Sequence, residues 1–291
     1  MKFSVNALIL ILLICLGLLS PVHAEVEYNV LKTYKLEDQP VDMAFSTNRN
    51  EIYVLSLKGE LLIYDTNGHL TEKINVGNGY DKLKLVQGSD ILFLSSRKDK
   101  TIQIIQLDFV QKIHTSGSPF KGSENAPVII AVFSEFQWPY CSRLTSLLDQ
   151  VIEKYPKQVK IVYKNFPIPS HKYSEPAAKA ALAAQKQGKF WPFHDLLYAN
   201  YKDLSDKKMR DIANQLKLDM VRFEKDRKDP AVAGKVRADI RDGNSAGVRG
   251  VPTVFINGRR LRKRSLEGFS EMIEKELQKA GNPSPQKITP K

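Results

Sequence analysis

The chain has 291 residues, a length that accommodates two domains. Lys and Arg total 44 against 32 Asp and Glu, a net charge of +12 that favours anionic partners in principle. Opposite charges are interleaved along most of the chain, which is the pattern of a mildly basic soluble protein rather than of a nucleic-acid binder, and the two cysteines allow one disulfide at most.

At the N-terminus, Met1-Lys2 precedes an apolar run from Ala7 to Leu19 and then Pro21-Val-His-Ala24. This reads as a secretory signal peptide over residues 1–24, with an apolar part too short to span a bilayer comfortably; an uncleaved anchor is the alternative. The expected location is periplasmic or secreted. Cys15 lies inside the apolar run and would leave with it, so the remaining 291 − 24 = 267 residues would keep a single thiol, Cys141. One free thiol in an oxidising compartment is either buried and inert, or used.

Residues 25–115 are nearly all strand-like. Ile52-Tyr-Val-Leu-Ser56 recurs as Ile91-Leu-Phe-Leu-Ser95, each followed by a polar turn and a further strand, Leu61 to Tyr64 and Thr101 to Leu107. A repeat of about forty residues built from short strands suggests a small all-β domain of propeller-blade-like repeats, although two copies cannot close a propeller. Asp65-Thr-Asn-Gly68 marks a hairpin turn. No metal-ligand spacing, catalytic constellation or phosphate loop occurs in this region, so it is read as a binding or homo-oligomerising module, or as a packing extension.

Residues 116–126 are Ser-, Gly- and Lys-containing and aperiodic, and read as a linker. A second domain is expected over 127–281. Pro127 to Phe133 is a continuous apolar run of strand length; Ser142 to Tyr155 repeats apolar residues at helical spacing (Leu144, Leu147, Leu148, Val151, Ile152). Trp138-Pro-Tyr-Cys141 therefore sits at the start of a helix, where unpaired N–H groups and the macrodipole favour a thiolate. Val159 to Asn165 alternates as the next strand. Ser174 is read as an N-cap, Ser205 as another, and Ser265 to Lys279 as a closing helix stopped by Gly281. The tail 282–291 carries three prolines and is expected to be disordered.

Phe133-Ser-Glu-Phe-Gln-Trp-Pro-Tyr-Cys141, Gly188-Lys-Phe-Trp-Pro-Phe-His-Asp-Leu-Leu197 and Val248-Arg-Gly-Val-Pro-Thr-Val-Phe-Ile-Asn-Gly258 occur in that order. Together they resemble the active-site region, a packing helix and the cis-proline loop of the DsbA-like thioredoxin-fold proteins, from about Ala126 to Gly281. The resemblance implies an α/β thioredoxin-like fold with a helical insertion, thiol-disulfide oxidoreductase ancestry, no cofactor or metal, and polypeptide clients held by Val251 and Pro252. It also implies that His194 packs rather than catalyses.

The departure from the family lies at its chemical centre. The first cysteine of Cys-x-x-Cys is Trp138, and Cys141 alone survives in a degenerate Trp138, Pro139, Tyr140, Cys141 motif. Exchange needs an attacking thiolate and a resolving thiol, so the ordinary dithiol cycle is excluded by composition. Three readings follow: a redox-inactive polypeptide binder, a monothiol oxidoreductase or isomerase using Cys141, and a scaffold acting through the β module. The basic run Arg259, Arg260, Arg262, Lys263 and Arg264 is expected at the surface, either simply solvated or attracted to an anionic surface.

Overall fold

The computed structural model describes residues 27–281. The segment 1–24 read as a signal peptide, Cys15 within it, and the tail 282–291 lie outside the described residues. The chain divides into two units, 1–106 and 107–291.

The first unit holds two open antiparallel sheets. Strands β1 (Pro40–Ser46), β2 (Glu51–Ser56), β3 (Glu60–Asp65) and β4 (Leu70–Asn75) form a four-stranded sheet in sequence order. Strands β5 (Lys82–Leu85), β6 (Ile91–Ser96) and β7 (Thr101–Gln106) form a three-stranded one. The repeated segments Ile52–Ser56 and Ile91–Ser95 become the second strand of each sheet, so the repeat is structural; neither sheet closes into a barrel or a propeller. The expected turn forms between β3 and β4, where the Gly68 N–H donates to the Asp65 carbonyl at 3.0 Å with φ of 90° at the glycine. Tyr53, Leu55, Leu61, Leu62 and Ile63 are fully buried, so β2 and β3 bury both faces rather than one.

The second unit is built on a five-stranded sheet. Strands β8 (Phe120–Gly122), β9 (Val128–Ser134), β10 (Val159–Asn165), β11 (Thr253–Ile256) and β12 (Arg259–Arg260) lie in the order β12-β11-β9-β10-β8. Helix α1 (Pro139–Lys154) connects β9 to β10, which run parallel, while β11 returns antiparallel to β9. Between β10 and β11 come α2 (Ser174–Gln185), α3 (Phe190–Ala199), α4 (Asp206–Gln215), α5 (Met220–Arg227) and α6 (Pro230–Ser245), and α7 (Leu266–Gly281) follows β12. This is a DsbA-like thioredoxin fold with a helical insertion.

Helices α1 and α7 pack Leu144, Val151, Phe269 and Ile273 against Val128, Ile130 and Val132 of the sheet. In the insertion, the alanines of α2 (Ala177, Ala180, Ala181, Ala184) let it sit close to Phe190, Phe193 and Phe223. Helix α6 approaches the sheet through Gly243, where an added Cβ would lie 2.7 Å from the Phe166 ring.

Three sequence expectations are corrected. Part of the segment read as linker, Phe120–Gly122, is a sheet strand paired with Lys160–Val162; three residues are too few to show a period of their own. Ser174 does not cap α2, whose N-cap is Tyr173. Its hydroxyl instead donates to Glu135 at 2.6 Å, whereas Ser205 does cap α4, accepting from the Lys208 N–H at 3.1 Å. Finally, the apolar and polar alternation of β10 does not translate into one buried and one solvated face: Lys164 and Asn165 are as buried as their apolar neighbours, because helices cover both faces of the strand.

Candidate functional site

Strand β9 delivers Ser134 and Glu135 to the start of α1. Trp138 is the N-cap of that helix with extended backbone (φ −92°, ψ 121°), and Pro139 follows it in the first turn, where its missing N–H costs nothing. No side chain caps this end. The Trp138 carbonyl accepts from the Cys141 and Ser142 N–H groups at 3.0 and 3.2 Å, so Cys141 lies one turn inward.

That turn carries Cys141 into the core, where it is 1% exposed. Burial outweighs the helix start, which by itself favours a thiolate. Desolvation pushes the thiol up to about 12 from an ordinary 9.0, with the Ser134 hydroxyl and the Glu135 N–H opposing only in part. At neutral pH Cys141 is a protonated thiol. A cavity of about 10 Å³ lies against it, lined by Ser134, Tyr163, His194 and Tyr198 among others. That is room for one water at most, not for a disulfide. Under the thiol, Ser134 Oγ and Tyr198 Oη are 2.7 Å apart, and Tyr198 Oη lies 3.0 Å from Tyr163 Oη. Burial raises both phenols well above their usual range, so this layer is neutral and self-satisfied.

Trp138 and Pro139 are half-buried, and Trp138 packs against the core of the helical insertion. The Trp138 ring lies 5.3 Å from Tyr140 and 5.7 Å from His171, centroid to centroid, and Arg143 lies 4.2 Å over the Tyr140 ring. Tyr140 is 55% exposed, one of the few large apolar side chains of this unit left in solvent. Val251 is half-buried against the same cluster as Trp138, and the Val251–Pro252 peptide bond is cis. The Pro252 carbonyl is taken by the Arg264 guanidinium, and Thr253 Oγ1 donates to the Gly250 carbonyl at 2.7 Å.

The sequence reading missed what holds this arrangement. Glu135 is 2% exposed, yet its carboxylate accepts from the Gln137 N–H at 2.8 Å and the Ser174 hydroxyl at 2.6 Å, and lies 2.7 Å from His171 Nδ1. One buried carboxylate therefore joins the start of α1 to the segment that opens α2. A charged residue placed directly after an apolar strand was the available signal. His194 is enclosed by the rings of Phe136, Tyr163, Phe190, Trp191 and Tyr198, all within 5.8 Å. Its desolvation lowers its basicity, and Nδ1 is held at 2.8 Å by Asp195.

The basic run lies at the surface, with Arg262, Lys263 and Arg264 exposed and Arg259 and Arg260 half-buried, and each cation has a partner. Arg259 pairs with Glu276 at 3.2 Å, Arg260 donates to the Gly247 carbonyl at 2.6 Å, and Arg262 pairs with Asp108 at 3.2 Å. Lys263 pairs with Glu267, and Arg264 holds Pro252. Among the described residues no group of His, Cys, Asp or Glu is placed to hold a metal ion. No helix among them is long and apolar enough to cross a membrane.

A thioredoxin family model matches residues 114–275. Among solved structures, oxidised BdbD from Bacillus subtilis superposes with a TM-score of 0.51 at 22% identity, covering 59% of this chain and 98% of its own. A thioredoxin-like oxidoreductase from Silicibacter pomeroyi superposes with a TM-score of 0.50 at 23% identity, covering 58% and 95%. In sequence, the chain is 32% identical over 155 residues to Na(+)/H(+) antiporter NhaA 3 of Salinispora tropica, a match covering 53% of this chain and 24% of that protein. The chain thus spans about a quarter of the length of such curated relatives. With the family model covering more than half of its residues, the chain belongs to the thioredoxin family.

Proposed function

We propose that the chain is an exported, DsbA-like protein that binds polypeptides without running the dithiol cycle. The observation that carries this reading is Cys141: the one thiol of the motif is 1% exposed and its ionisation is pushed up to about 12. Trp138 occupies the position from which the family's nucleophile attacks, and an indole neither ionises nor attacks a disulfide. The same burial argues against a monothiol oxidoreductase, which needs a thiolate that a substrate reaches. What remains at the mouth of the site is Trp138, Tyr140 and Val251, an aromatic and apolar surface of the kind that anchors extended chains. The run Arg259 to Arg264 is assigned to latching this domain rather than to an anionic envelope surface, because each of its five cations is engaged within the domain.

Binding of a reduced, carboxymethylated polypeptide that carries no tryptophan, followed by the fluorescence of Trp138 in a Trp191→Phe background, tests the reading. Tyr140→Ser removes an exposed aromatic at no cost to the core and is expected to weaken binding at least about tenfold, the loss typical of an anchoring aromatic. An unchanged affinity, or a wild type that binds nothing, sinks it.

A further inference from the structure

The two repeats of the first unit are not equally complete. Strand β6 corresponds to β2 and β7 to β3, and in the first sheet β4 covers the outer edge of β3. No strand does this for β7: among the described residues it pairs with β6 alone. Among the described residues the second sheet has no fourth strand at that edge.

The other three edges are guarded. Strand β1 carries Pro40 and Asp42, β4 carries Glu72 and Lys73, and β5 carries Lys82 and Lys84. Charges and prolines of this kind are what prevent edge strands from recruiting another chain. Strand β7 reads Thr101-Ile-Gln-Ile-Ile-Gln106, with no charge and no proline, and Ile102 and Ile104 are 71% and 63% exposed. Three β-branched isoleucines in six residues form a segment of high pairing propensity held open to solvent.

We propose that β7 pairs antiparallel with β7 of a second copy of this chain, joining two three-stranded sheets into one of six strands. The strand is self-complementary about a two-fold axis through Gln103. In that register Ile102 of each copy faces Ile104 of the other, so four isoleucines close over one another on a single face, and Thr101 faces Ile105. Cross-strand pairs of β-branched residues are the unit that stabilises such a contact, and a self-matching patch is what a two-fold dimer requires. Charge does not oppose the contact locally: of the edge strands of this unit, β7 is the one without a charged residue.

Sedimentation velocity on the protein as its cells process it is expected to give a dimer, and the Ile102→Lys/Ile104→Lys variant a monomer. Both side chains are already exposed, so that variant folds as the wild type does. Oxidation of a Gln103→Cys variant is expected to yield a covalent dimer, since the two-fold axis brings the two positions opposite each other, while Lys84→Cys on the guarded edge stays uncrosslinked. A monomeric wild type overturns the proposal. So does a dimer that survives both lysines, or one in which Gln103→Cys fails to cross-link.

Discussion

Asp239→Ala is expected to destabilise the thioredoxin unit by about 3–5 kcal/mol, the cost of removing one partner from a buried ion-pair cluster. Asp239 on α6 is fully buried and serves four donors. Lys164 of β10 reaches it at 2.8 Å, Lys235 at 2.5 Å, and the backbone and side-chain N–H groups of Asn165 at 3.0 and 3.1 Å. The Lys164 ammonium is itself 2% exposed and also holds Asp242 at 2.9 Å and the His114 carbonyl at 2.6 Å. Removing the carboxylate leaves one amide pair unaccepted and one buried cation with a single counter-charge. Urea denaturation reads the loss as a lower midpoint at unchanged slope. A loss under about 1 kcal/mol, the range of an exposed pair, would mean that water reaches this cluster.

Alkylation of Cys141 at neutral pH is expected to run about a thousandfold slower in the native protein than in urea. The thiolate is the reactive form, and the gap between about 12 and 9.0 is a factor of about a thousand in its abundance. Exclusion of the reagent from a cavity of about 10 Å³ slows the reaction further. The sign of the pH dependence follows: the native rate climbs about tenfold per pH unit and keeps climbing above 9, where the unfolded thiol has already levelled off. Mass spectrometry of quenched time points at several pH values checks both features. A native rate that levels off near pH 7 contradicts the burial argument.

Local pattern carried much of the second unit. The apolar run at β9, the helical spacing of α1 and the Ser205 cap each depend on a few neighbouring residues, and each lies where its pattern places it. Helices α5 and α6 also carried signals, Asp219 and Asp229 as caps and Pro230 in the first turn of α6, but their apolar faces are too short to stand out. What stayed illegible depends on partners distant in sequence. Lys164 looked solvent-facing because its carboxylates arrive from a helix more than seventy residues downstream. Ser174 looked like a cap because its true acceptor, Glu135, lies 39 residues upstream. At the site, the loss of the first cysteine was legible from one position, whereas the state of Cys141 depends on how deeply α1 is packed, which only the fold determines.

Insulin reduction by the wild type and by Trp138→Cys, assayed side by side with dithiothreitol, tests the central claim most directly. The wild type is expected at background, because its buried thiol has neither an attacking thiolate nor a partner. Trp138→Cys is expected above background, since it places a second thiol at the helix N-cap, one turn from Cys141. Turnover by the wild type that is lost in Cys141→Ser would contradict the account, because it would make Cys141 a working nucleophile.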